Sequence, residues 1–174
     1  YYGLRKKALK KDKQYMWDVS INLEKEFDQK YPYEKARELI TEGLKPLGED
    51  YIEVLNRGFD DRWVDVYPRE GKAGGAYSWG SFDTDPYILM NYTDTLDSMF
   101  TLAHEFGHSM HSYYSKSDND YLYAQYKIFV AEVASTFNEL TLLDYLLKNV
   151  KNKNEKIYIL NYYINMFIGT VFRQ

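Results

Sequence analysis

Apolar residues return every three or four positions over most of the chain and alternate with polar ones across one central zone. Tyr33 to Leu44 places Ala36, Leu39 and Ile40 on one face with Gly43 near its end, which predicts a helix. Pro46 and Gly48 mark a turn, and a second helix is expected from Glu49 to Asn56, closed by Gly58. Trp63-Val64-Asp65-Val66-Tyr67 then alternates as a strand does and stops at Pro68. Ala76 to Trp79 and Tyr87 to Tyr92 read as two further strands, set off by turns at Gly71 to Gly75 and Asp83 to Pro86. From Thr93 the helical period returns. Asp94 or Thr95 can cap a helix to about Tyr114, Lys116 to Tyr121 is a polar loop, and a long helix is expected from Leu122 to Val150. Glu155 to Gln174 reads as a last helix, and Tyr1 to roughly Glu26 as helix or extended chain. The expected class is mainly α with a small antiparallel β-sheet, as a single domain over residues 1–174.

Composition narrows the function classes without altering this layout. Hydrophobic residues make up 45% and charged residues 28% of 174, the balance of a soluble globular protein. The net charge of −4 comes from interspersed signs, and Lys6, Lys7, Lys10, Lys11 and Lys13 read as a solvated helix face rather than a nucleic-acid surface. No apolar run is long enough for a membrane span and no signal core opens the chain, so neither membrane nor nucleic acid is an expected partner and a cytoplasmic location is expected. The 19 tyrosines are read as a matter of lineage composition and carry no argument. With no cysteine, any metal must be held by His, Asp or Glu. The final helix carries Ile157, Leu160, Ile164 and Phe167 on one face with no stop signal behind it. That pattern predicts a piece of a longer protein, whose missing C-terminal part would be its natural partner.

All the histidines of the chain fall between His104 and His111. His104-Glu105-Phe106-Gly107-His108 is an HExxH string on the predicted helix. Four residues are about 400° of rotation, so His104 and His108 share a face one turn apart and both imidazoles can reach one cation. Glu105 lies about 100° round, poorly placed to bind the metal but able to reach a water held there. Met99, Leu102, Phe106, Met110 and Tyr113 form the opposite, apolar face. A catalytic zinc needs a third protein ligand and an open position. His111 would make three ligands in a row along one helix, which cannot form three corners of a tetrahedron, so it is expected beside the site or facing substrate. Glu132, a carboxylate within Val130-Ala131-Glu132-Val133-Ala134-Ser135, is the better candidate, because among small and apolar residues a charge is costly unless bound. Gln125 and Glu139, seven residues to either side, lie on nearly the same helix face and are candidates to hydrogen-bond the ligand imidazoles.

His104-Glu105-Phe106-Gly107-His108-Ser109-Met110-His111, followed by Glu132 within Glu-Val-Ala-Ser-Thr, resembles the thimet oligopeptidase family. Gly71-Lys72-Ala73-Gly74-Gly75-Ala76-Tyr77-Ser78 and Pro86 to Tyr92 are similar to its oligoendopeptidase F branch. The likeness runs from about Trp63 to Glu139 and more loosely beyond. It implies the zincin-like core of a helical, two-lobed peptidase with a channel for short peptides. It also implies one zinc per chain on His104, His108 and Glu132, and a downstream histidine and tyrosines, past Gln174, that bind substrate. The expected chemistry is metal-assisted hydrolysis with Glu105 as general base, and Gly74, Gly75, Ala76 and Tyr77 offering backbone groups to an extended peptide. The alternative is a truncated, inactive zinc-binding scaffold for peptides, against which the intact Glu105 argues.

Overall fold

The computed structural model describes residues 2–21 and 29–172, with the side chains of 19, 20 and 172 excluded. The part of the expected N-terminal segment over residues 22–26 and the last two positions of the expected final helix lie outside the described residues. The chain falls into two units, Tyr1–Asp28 together with Lys151–Gln174, and Gln29–Val150.

In the first unit, helix α1 (Tyr2–Ala8) buries Arg5, whose guanidinium donates to the Asp18 carbonyl at 3.0 Å. Asp18 pairs with Lys11, and this hydrogen-bonded ammonium holds its carboxyl below the usual range. Helix α6 (Lys153–Phe167) starts where the Asn152 side chain accepts from the Asn154 amide at 2.8 Å, and it passes into a π turn at Ile168–Phe172. Its Ile157, Leu160, Ile164 and Phe167 are all more than one-third exposed.

The second unit holds α2 (Tyr33–Leu44), α3 (Glu49–Asp60), strands β1 (Val64–Asp65), β2 (Tyr77–Trp79) and β3 (Tyr87–Leu89), then α4 (Leu96–Asp118) and α5 (Ile128–Asn149). Helix α3 runs straight through Gly58, where a stop was expected. A Cβ at that position would meet Trp63 at 2.6 Å and Phe106 at 3.0 Å, so the glycine serves packing, not termination. The chain leaves α3 through Arg62, at φ 59°, and enters β1.

The sheet is mixed where an antiparallel one was expected. β2 pairs antiparallel with β3 (Ser78 opposite Ile88), but β1 lies on the far side of β3 and runs parallel to it (Val64 opposite Ile88). Strand order β1-β3-β2 follows because the chain passes the central slot before filling it, and β2 is left as an edge. Ile88, in the middle, is buried.

Helix α4 begins at Thr95, whose hydroxyl accepts from the Ser98 amide at 3.1 Å. Met99, Leu102, Phe106 and Met110 are buried along it, as the periodicity predicts. Helix α5 begins at Ile128 and not at Leu122, because residues 121–123 form a turn, closed by the Tyr123 amide on the Asp120 carbonyl at 2.8 Å, and the residues after it are tied to α4. Ser115 donates to the Ala124 carbonyl at 2.6 Å, and the Tyr126 and Ser112 hydroxyls lie 2.7 Å apart.

Candidate metal centre

Gly107 sets the distance between α4 and α5. A Cβ there would lie 2.5 Å from Ser135 Cα and 2.9 Å from the Ala134 carbonyl oxygen, so the helices touch backbone to backbone. Asn138, buried between them, donates to the Ala103 carbonyl at 3.1 Å and accepts from the Tyr51 hydroxyl at 2.8 Å. This contact brings Glu132 across to the histidines of α4.

The nitrogens His104 Nε2 and His108 Nε2 lie 3.1 Å apart, and Glu132 Oε2 stands 3.4 Å from the first and 3.7 Å from the second. These edges bracket the ~3.3–3.4 Å between ligand atoms of a tetrahedral ion bonded at ~2.0–2.1 Å, the zinc–nitrogen and zinc–oxygen range. The donor set therefore fits a divalent cation of zinc's kind, and these three residues are the group able to hold one among those described. Glu132 is exposed on its outer side, and Ser135 donates to its Oε2 at 3.0 Å.

His104 is fixed from behind. Its Nδ1 is hydrogen-bonded to Glu139 Oε1 of α5, which assigns the proton to Nδ1 and leaves Nε2 with its lone pair toward Glu132. Burial pulls the His104 pKa down, but the Glu139 hydrogen bond and charge, with Glu105 and Glu132 nearby, raise it overall. Burial and the neighbouring His104 push His108 down, which favours the neutral ligand form.

Glu105 is buried, and burial raises its pKa, with Glu132 adding to that and His104 and the Ser78 backbone opposing it. Its Oε2 has no hydrogen-bond partner. Glu105, His104, His108 and Glu132 open on one cavity of about 780 Å³, whose opposite wall is the edge strand β2.

The remaining expected residues divide. Glu139 lies against the His104 imidazole, as its spacing from Glu132 suggests. Gln125 lines the cavity from the segment before α5 and is not on the helix with Glu132. His111 is outside the group able to hold a metal. Its ring stacks on Tyr126 at 3.7 Å between centroids, and Tyr126 in turn lines the cavity. Ala76 and Tyr77 line the cavity, whereas Gly74 and Gly75 precede β2 and lie away from it. There the Asn91 amide donates to the Ala73 and Gly75 carbonyls at 2.9 Å, and Gly75 takes φ 81° in the turn. Sequence reasoning missed Asn138, Ser109 and Tyr126. Ser135 was read only as a small residue, although its spacing of three from Glu132 is that of a side-chain contact on one helix turn.

An HExxH helix crossed at a glycine by a second helix bearing a carboxylate has the layout of a zincin-like metallopeptidase core. The model of peptidase family M3 matches residues 1–174, and the chain belongs to that family. It is 49% identical over its whole length to the oligopeptidase PepF of Bacillus subtilis and 45% identical to the group B oligopeptidase PepB of Streptococcus agalactiae. Among solved structures it matches a Chlamydophila abortus protein described as a candidate peptidase, with TM-score 0.87 and 42% identity over 99% of this chain and 29% of that one. It also matches oligoendopeptidase-F of Enterococcus faecium, with TM-score 0.61 and 32% identity over 99% of this chain and 22% of that one. The chain spans 26% of the length of the Bacillus relative and 29% of the Streptococcus one.

Proposed function

We propose that this chain is the metal-binding part of a zinc-dependent endopeptidase that hydrolyses short oligopeptides, with one zinc held by His104, His108 and Glu132. The observation that carries this reading is the convergence of the three ligand atoms at 3.1–3.7 Å on a cavity that also receives Glu105.

Zinc bound there would acidify a water and polarise the scissile carbonyl. Glu105, which lines the cavity, accepts the water's proton on its carboxylate and returns it to the departing amine nitrogen as the C–N bond breaks. Burial of Glu105 strengthens it as a proton acceptor, by raising its pKa. Glu139 holds the His104 ring in the tautomer that keeps Nε2 free. The unpaired edge of β2, from Ala76 onward, can align an extended peptide as an added strand. Substrate-binding and oxyanion-stabilising groups come, in this reading, from the remainder of a longer protein. A chain without cysteine needs no oxidising compartment, and a cytoplasmic location goes with the proposal.

The test is zinc content by atomic absorption together with hydrolysis of a quenched fluorescent peptide. In the full-length protein, Glu105→Gln should keep one zinc per chain and lose hydrolysis by several orders of magnitude. A loss smaller than about tenfold would remove Glu105 from the role of base.

A further inference from the structure

The cavity that receives His104, His108 and Glu132 continues past them along α4. Two contacts set its direction. Ser78 of β2 lies beside Ser109, their hydroxyls 2.8 Å apart. Further along, the Lys116 ammonium donates to the carbonyls of Ser81 at 2.6 Å and Thr84 at 3.2 Å, in the turn that follows β2. β2 and this turn therefore run in the same sense as α4, away from the histidine pair. Lys116 is eight residues beyond His108, about 12 Å along the helix axis, which is the reach of roughly three to four extended peptide residues.

At that end the lining changes character. Phe82, in the turn after β2, and Tyr121, in the turn after α4, meet edge to face with ring centroids 5.5 Å apart, and both line the cavity. Ala124, held at this level by the Ser115 hydroxyl on its carbonyl, offers the cavity only a methyl group. Lys116 is the one charged lining residue outside His104, Glu105, His108 and Glu132, and its bonds to the two carbonyls hold the Phe82 turn against α4.

We propose that Phe82 and Tyr121 form a specificity subsite at the end of the cavity remote from the metal centre, which takes a bulky apolar or aromatic side chain from the amino side of the scissile bond. The proposal rests on the peptidase reading and names a substrate preference for it. The free edge of β2 supplies the orientation. A peptide paired antiparallel to β2, the more stable sense, runs with its amino end toward Phe82, so the side chain received lies about three to four residues before the bond that is cut. A third ring beside the edge-to-face pair meets complementary edges and faces, whereas a basic side chain meets the Lys116 charge.

The test uses peptides that differ only in carrying Phe, Ala or Lys three or four residues before the cut, which mass spectrometry locates. In the full-length zinc-loaded protein, kcat/KM for the Phe peptide should exceed that for the Ala peptide roughly ten- to a hundredfold, the discrimination an apolar pocket gives, and the Lys peptide should fall below both. Phe82→Ala and Tyr121→Ala should bring the Phe-to-Ala ratio close to one, while Phe82→Tyr, which keeps the ring, should preserve it. A ratio taken within one variant does not depend on how much of that variant folds. A native protein that cuts the Phe and Ala peptides alike, or variants that keep the native ratio, would overturn the subsite. A zinc-loaded native protein that cuts none of the peptides fails the peptidase reading instead. Calorimetric titration of the same peptides then decides for the subsite: tighter binding of the Phe peptide, lost in Phe82→Ala, upholds it, and equal binding of the Phe and Ala peptides, or a preference that survives in Phe82→Ala, ends it.

Discussion

His104 Nδ1 and Glu139 Oε1 are hydrogen-bonded across α4 and α5, residues 35 apart in sequence, on the side of the imidazole away from Glu132. The bond fixes ring orientation and tautomer before any metal arrives. Glu139→Ala should therefore weaken zinc binding by about 10–100-fold without removing a ligand. Glu139→Gln, which still offers an accepting oxygen, should lose less. Competition with a chromophoric chelator measures both, and equal affinities for Glu139→Ala and the native chain would show that the ring is held by packing alone.

The third-ligand assignment separates Glu132 from His111. Glu132→Ala should lose most bound zinc, since two imidazoles one turn apart hold a cation poorly. His111→Ala should keep stoichiometric zinc, because that ring faces Tyr126 and not the other two imidazoles. Atomic absorption on the two variants decides, and the reverse pattern would exchange their roles.

Asn138 predicts a stability effect independent of metal. It is buried, donates to the Ala103 carbonyl and accepts from Tyr51, so Asn138→Ala leaves buried polar groups on both neighbours without partners. The expected cost is about 1–3 kcal/mol. Tyr51→Phe with Asn138→Ala should cost less than the two separately, because they share one bond. Urea unfolding of the apo-proteins gives the cycle, and strict additivity would mean that the Tyr51 contact contributes nothing.

Much of this centre was legible in the sequence, for a physical reason. His104, Glu105 and His108 sit on one helix, where spacing alone fixes direction, and the buried run Met99, Leu102, Phe106 and Met110 orients that helix. Glu139 was reached from Glu132 by the same arithmetic. The errors arose where tertiary contacts overrule local pattern. Gly58 carries the signature of a helix end, yet its missing side chain makes room for Trp63 and Phe106. Leu122 and Tyr123 continue the apolar period of α5, but they lie in a turn, and Ser115 and Ser112 tie the next residues to α4. The parallel pairing of β1 has no signal in a strand of two residues, since order in a sheet is a property of the connections. Ser109 carried no signal either, because its partner lies on another element.

Gly107 is the position on which the assembly of the centre turns. It stands between Phe106 and His108 with its α-carbon against the backbone of α5, and an added methyl would come within 2.5 Å of Ser135 Cα. Neither helix backbone can yield locally, so Gly107→Ala must separate α4 from α5. Overpacking of this kind costs typically about 1–3 kcal/mol. For a chain of this size that corresponds to a fall in Tm of roughly 2–4 °C per kcal/mol. The separation acts where it matters most for the site, because Ser135 is one turn from Glu132 and donates to its Oε2. Zinc affinity should therefore fall together with stability, although no ligand has changed. Gly74 supplies the control: nothing lies within 4 Å of a Cβ there, so Gly74→Ala should leave both unchanged. Differential scanning calorimetry of the apo-proteins and chelator competition on the loaded ones read the two effects separately. A Gly107→Ala chain that melts and binds zinc as the native one does would show that α4 and α5 do not depend on this contact to bring Glu132 to the histidines.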